Sequence, residues 1–237
     1  MTTHLQREIE RLKRKILAQS AVVEESLRQA FAALERRDAA LATRVIDGDS
    51  EVDEIEVDIE EDCLKILALY QPVASDLRFL VAVIKINHRL ERLGDLAASV
   101  AKRSLALVEH PSVEVPEDFY EMAEKSGAMI SRALDSLVKR DTTLAKLVLV
   151  ADDEVDAMYR KVQEELKDAI RDRPESLDAL VEVFAVARYL ERIGDHATNI
   201  AEDVIYMNEG EIARHKAGVF EFDRGADAAS AKREETT

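Results

Sequence analysis

DAALATRVIDGDSEVDEI, residues 38–55, returns as DTTLAKLVLVADDEVDAM, residues 141–158, and LERLGD, residues 90–95, returns as LERIGD, residues 190–195. The first repeat is displaced by 103 positions (141 − 38) and the second by 100 (190 − 90), so three residues are lost between them. A chain that writes one long segment twice reads as two copies of one supersecondary unit. Composition says what the unit is made of. Seven Gly, four Pro and 5% aromatics against 47% hydrophobic residues leave too few turn and strand formers for a sheet, and the expectation is an all-helical protein.

Apolar spacing defines the helices. Leu5, Ile9, Leu12, Ile16, Val23, Leu27, Phe31 and Leu34 mark one stripe of a long first helix, which Arg36-Arg37-Asp38 breaks. Leu41, Val45 and Ile46 begin a second, with an interruption expected at Asp47-Gly48 before Val52, Ile55, Ile59, Cys63 and Ile66 continue it. Cys63 is therefore a core residue. After Gln71-Pro72 a third helix runs from about Ser75 to Val108, with a seam of Val83, Ile86, Leu90, Leu93, Ala97 and Val100. Asp38 and Asp141 are matching N-caps.

Short connections between long helices make antiparallel bundles. The fold expected is two pseudo-symmetric antiparallel three-helix bundles: residues 1–109, a proline-bearing linker at 110–116, and residues 117–210. Residues 211–237, without sustained period, read as a mobile C-terminal tail.

The longest apolar run, Phe79 to Ile84, is far short of the roughly 20 residues of a membrane span. The charged N-terminus has no signal-peptide core, and a single cysteine suits a reducing compartment. A net charge of −16 without a segregated basic patch argues against nucleic acid. No nucleotide loop, nucleophile elbow, H-E-x-x-H or Glu-x-x-His motif nominates a catalytic residue.

What repeats, besides the core, is acid. Asp49 with Asp53 and Asp152 with Asp156 lie on the second helices, and Glu91 with Asp95 and Glu191 with Asp195 on the third. Each pair is spaced i, i+4, which puts two carboxylates on one face at a cost of about 0.2–0.5 kcal/mol. Chance alone supplies about ten such pairs in a chain this acidic; recurrence at equivalent positions is what singles these out. With Leu90 set at zero on the helix, the seam clusters near about −30° and Glu91 and Asp95 fall at about 100° and 140°. They continue a second apolar stripe, Leu77, Leu80 and Ile84, matched by Leu177, Leu180 and Phe184.

An apolar stripe ending in clustered carboxylates suits either a contact with a neighbouring element or a bound cation. Gly94 and Gly194 permit a close approach there by a helix, a ligand or a metal. All-carboxylate sites suit hard ions such as Mg²⁺, Ca²⁺, Mn²⁺ or iron. His196 and His88 read as polar surface residues.

The segment YQPVASDLRFLVAVIKINHRLERLGD, residues 70–95, together with YLERIGDHATNIAEDV, residues 189–204, resembles the PhoU family, and the resemblance covers about residues 5–208. It implies a homodimeric cytoplasmic helical bundle without enzymatic activity. Such a protein negatively regulates phosphate uptake and phosphate-starvation signalling, as an adaptor between the ATPase subunit of a phosphate ABC transporter and a sensor histidine kinase. It meets the membrane only through those partners. The alternative implied is a carboxylate metalloprotein with a redox or hydrolytic role. Its multinuclear cluster would hold iron first, with Mn, Mg, Ca or Zn as alternatives, on the metal ligands Asp49, Asp53, Glu91, Asp95, Asp152, Asp156, Glu191 and Asp195.

The copies are not equal. Glu202 adds an acid seven residues past Asp195 where repeat one has Lys102, so the second site is expected to bind cations better.

Overall fold

The computed structural model describes residues 3–111, 113 and 115–210, so the tail expected at 211–237 lies outside the described residues. Six helices succeed one another: α1 Thr3–Arg36, α2 Ala39–Tyr70, α3 Ala74–Val108, α4 Glu117–Lys139, α5 Thr142–Asp172 and α6 Leu177–Glu209, with a short 3-10 turn at Pro174–Ser176 before α6. No strand occurs among the described residues. None of the described helices is long and apolar enough to cross a membrane.

The turns repeat as faithfully as the helices. Arg37 and Arg140 both adopt left-handed backbone (φ 51 in each), which ends α1 and α4. The next residue in each repeat caps the second helix: the Asp38 carboxylate accepts from Leu41 N at 3.0 Å, and the Asp141 carboxylate from Thr143 N at 2.8 Å and Leu144 N at 3.1 Å. Both expected N-caps therefore satisfy otherwise orphaned amides. Arg37 also reaches across to the linker. Its Nη1 donates to the carbonyl of Leu107 at 2.9 Å and to that of His110, and Nη2 donates to the carbonyl of Val113 at 2.7 Å.

The expected stripe of α1 is buried except for Phe31, which is half-buried, and Cys63 is buried in the core. Two expectations need correction. Asp47-Gly48 does not interrupt α2, which runs through it. Gly48 is exposed with open space around it, and its cost of about 1 kcal/mol is outweighed by Val45 and Val52, which anchor the helix in the core on either side. The second stripe on α3 and α6 is also shorter than expected. Leu80 and Leu180 are buried and Ile84 and Phe184 half-buried, but Leu77 and Leu177, in the first turns of α3 and α6, are exposed because packing is incomplete at the helix ends.

Helices α1, α2 and α3 pack as one bundle and α4, α5 and α6 as another, and α3 packs along α6. The α3–α6 pairing is antiparallel. Lys85 Nζ meets Asp203 Oδ1 at 3.1 Å, and eighteen residues further along α3 Arg103 Nη1 meets Glu182 Oε2 at 2.9 Å, further back along α6. Buried residues of all six helices form one continuous core across both repeats. Each third helix is thus wrapped by its own two partners and by its counterpart, which leaves a narrow strip for polar groups.

Candidate metal and contact surface

On that strip, Gly94 sets the spacing between α3 and α2. A Cβ there would stand 3.2 Å from Val52 Cγ1 and 3.4 Å from Asp49 Oδ1; at Gly194 the equivalent distances are 3.6 Å to Val155 Cγ1 and 3.6 Å to Asp152 Oδ1. The glycines therefore serve close helix packing, and that packing carries the second-helix acids against the third-helix acids. Asp49 thereby comes within the field of Asp95, and Asp152 within that of Asp195 and Glu191.

The protonation of Asp49, Glu91, Asp152, Glu191 and Asp195 reflects it. Asp49 is pushed upward first by burial, then by Asp95 and Asp53, with Lys102 pulling it back. Asp152 rises further, to about 6, from burial and then from Asp156, Asp195, Asp153 and Glu191. Glu91 is raised by burial and Asp95, Glu191 by burial, Asp195 and Asp156, and Asp195 by burial and Asp156. Burial and like charge outweigh the nearby positive groups, Lys102 at Asp49, Arg92 at Glu91, and Arg192 at Glu191 and Asp195. In repeat one the contact is direct: Arg92 reaches Asp95 Oδ2 at 3.1 Å and Glu91 Oε2 at 3.4 Å.

The eight expected ligands are gathered by repeat, and among the described residues no three of them bring ligand oxygens within 4.8 Å of one another. Among the described residues the one group of three ligand atoms within 4.8 Å of one another is Glu56, His88 and Glu91. Two of these, Glu56 on α2 and His88 on α3, were not singled out by the sequence. Their equivalents in repeat two are Tyr159 and Arg188, so recurrence could not find them; the signal available was His88 three residues before Glu91 on the same helix face.

His196 also departs from the surface reading. It is half-buried, and its imidazole is pushed down to about 4 by burial, with Arg89, Arg192 and Arg92 adding to the effect. Its Nδ1 is buried and accepts or donates no hydrogen bond.

The PhoU domain model matches twice, over residues 16–104 and 119–204, one match on each three-helix repeat. The chain belongs to the PhoU family. Among its relatives, the phosphate-specific transport system accessory protein PhoU homolog of Aquifex aeolicus is 38% identical over 210 residues, covering 89% of this chain and 95% of that one. PhoU homolog 1 of Thermotoga maritima is 32% identical over 228 residues, 96% of each chain. The crystal structure of PhoU from Pseudomonas aeruginosa superposes with a TM-score of 0.83 at 36% identity, over 87% of this chain and 99% of that one. The phosphate transport system regulatory protein PhoU from Streptococcus pneumoniae gives 0.81 at 28% identity, over 88% and 98%. The paired-bundle PhoU architecture is thus shared along nearly the whole described chain.

Proposed function

We propose that this chain is a cytoplasmic, homodimeric accessory regulator of phosphate uptake. It restrains uptake and starvation signalling when phosphate is plentiful. It acts as an adaptor between the ATPase subunit of a phosphate ABC transporter and a sensor histidine kinase, with no catalysis of its own. The observation that carries this reading is the doubled PhoU domain, with relatives named as accessory proteins of the phosphate-specific transport system matching 89% and 96% of this chain. Supporting the dimer, Leu69 and Val73 stand 75% and 74% exposed beside exposed Leu77 at the α2–α3 turn, an apolar tip of the kind that interfaces cover.

The test is a phosphate-starvation reporter, alkaline phosphatase activity in high phosphate, with the gene deleted and then restored. Derepression reversed by the intact gene is the expected result. Unchanged repression in the deletion strain would remove the regulatory reading.

Cation binding by the two carboxylate groups is a second reading, favoured by the upward shift of Asp152 to about 6 among four acids. The donor set fits hard or borderline cations: Asp49, Asp53, Glu91 and Asp95 would hold one set, and Asp152, Asp156, Glu191 and Asp195 the other. A bound iron or manganese cluster would supply redox or Lewis-acid chemistry. The chain's own part is to hold these carboxylates close on the rigid α2–α3 and α5–α6 pairs. Metal content after mild purification tests it, with less than one tightly bound ion per chain counting against it.

A further inference from the structure

We propose that Glu56, His88 and Glu91 form a single divalent transition-metal site of the zinc class, built between α2 and α3 and present in repeat one only. It shares Glu91 with the carboxylate group of that repeat, yet it stands whether or not the other acids hold cations, and it does not depend on the adaptor reading.

The geometry is that of a ligand set. His88 Nδ1 lies 3.3 Å from Glu56 Oε1 and 3.8 Å from Glu91 Oε2, and all three ligand atoms fall within 4.8 Å of one another. A tetrahedral ion with bonds of about 2.0–2.1 Å separates its ligands by about 3.3–3.4 Å. Calcium, with bonds of about 2.3–2.6 Å and six to eight oxygens, asks for a larger and all-oxygen set. An imidazole nitrogen with two carboxylates instead suits zinc and its first-row neighbours, with a fourth position left for water.

A second observation points the same way. Glu91 Oε2 is sealed from solvent and takes no hydrogen bond; its two neighbours, Arg92 Nε at 3.4 Å and His88 Nδ1 at 3.8 Å, make only longer charge contacts. A buried carboxylate oxygen without a hydrogen bond is costly, and a cation at that point removes the cost. An ordinary His–Glu pair does not. A neutral imidazole has one N–H, so through Nδ1 it can serve Glu56 or Glu91 but not both.

The backbone beneath the site is fixed. Asn87 Nδ2 donates to the carbonyl of Glu56 at 2.8 Å, pinning α3 to α2 one residue before His88. His88 is itself 59% exposed, which leaves its face open for an ion to enter. In repeat two the corresponding residues are Tyr159 and Arg188, which remove one ligand and place a cation where the other would stand.

The test titrates Zn²⁺ into the demetallated full-length chain by calorimetry, while the His88 ring nitrogens are monitored by NMR. The parent is expected to bind one Zn²⁺ that moves the His88 Nδ1 resonance. His88→Gln and Glu56→Gln, both polar replacements that leave the helices intact by circular dichroism, are expected to weaken that ion by roughly tenfold or more. The double variant Glu164→Gln with Asp168→Asn, at exposed acids of α5 outside both carboxylate groups, is expected to leave it unchanged. Zn²⁺ binding undiminished in His88→Gln, or a His88 resonance that does not respond in the parent, would overturn the site. Binding that persists in His88→Gln but disappears when Asp49 and Asp53 become Asn would assign the ion to the carboxylates instead.

Discussion

Gly94 and Asp49 are packed so closely that a methyl group on the glycine would lie 3.4 Å from the Asp49 carboxylate oxygen and 3.2 Å from Val52 Cγ1. At the equivalent place in the second repeat, Gly194 leaves 3.6 Å to both partners, so one crossing is tight and the other ordinary.

That difference predicts opposite outcomes for the same substitution. Gly194→Ala gains helix propensity at no steric cost and should stabilise by up to about 1 kcal/mol, raising the melting temperature by about 2–4 °C. Gly94→Ala meets the buried Val52 and should forfeit that gain and lower the midpoint. Thermal unfolding of both variants, monitored by circular dichroism, decides it.

Asp152 predicts a pH effect. Folded, it keeps its proton to about pH 6, whereas its ordinary value is 3.8. An acid raised on folding contributes stability that is present below the unfolded value and lost as pH rises through the folded one. Asp152→Asn should therefore melt above the parent at pH 7.5, with the difference closing as pH falls toward 4. A difference that is constant across that range would contradict the assignment.

Cations should act on the same charge. If the carboxylate groups bind Mn²⁺ or Mg²⁺ only when folded, a hundredfold excess over Kd stabilises by about 2.7 kcal/mol. Differential scanning calorimetry across a metal titration should show the midpoint rising in the parent and rising less in Glu191→Gln with Asp195→Asn. A flat midpoint would leave the carboxylates as surface charge.

Arg37 ties the first bundle to the linker through three carbonyls. Arg37→Ala should cost about 1–3 kcal/mol, because carbonyls paired with a guanidinium lose their donor. Faster amide exchange confined to the segment around Val113 and the end of α3 is the expected signature, and exchange that rises uniformly along the chain would point to a global effect instead.

The apolar tip predicts an assembly phenotype. If the proposed dimer forms through this tip, Leu69→Glu with Val73→Glu should shift sedimentation from dimer to monomer without loss of helicity, since neither side chain belongs to the core. A dimer that survives the double charge uses another face.

Much of the fold was legible because each helix buries one stripe and each turn carries its own chemistry. The stripes of α1, the Asp38 and Asp141 caps and the core placement of Cys63 needed only spacing and residue type. Gly48 misled because a local cost of about 1 kcal/mol cannot be weighed without knowing how deeply Val45 and Val52 are anchored. Leu77 and Leu177 misled because helical phase says which side a residue faces and not how completely the first turn is covered. For the candidate site, recurrence gathered the eight acids into two groups. The same filter discards anything present once, and Glu56 with His88 occurs once. Their meeting depends on the α2–α3 register, which the Gly94 crossing fixes and which no one-dimensional pattern displays.

The two ion pairs along α3 and α6 have a consequence for how the halves choose one another. Antiparallel pairing sets Lys85 against Asp203 and Arg103 against Glu182. If two first repeats met in that register, Lys85 would face Arg103; if two second repeats met, Glu182 would face Asp203. Each half carries like charges at these two contact points of its third helix, which disfavours pairing with a duplicate of itself and favours its sister. The duplication has thus become a lock with one key, and the halves are no longer interchangeable parts.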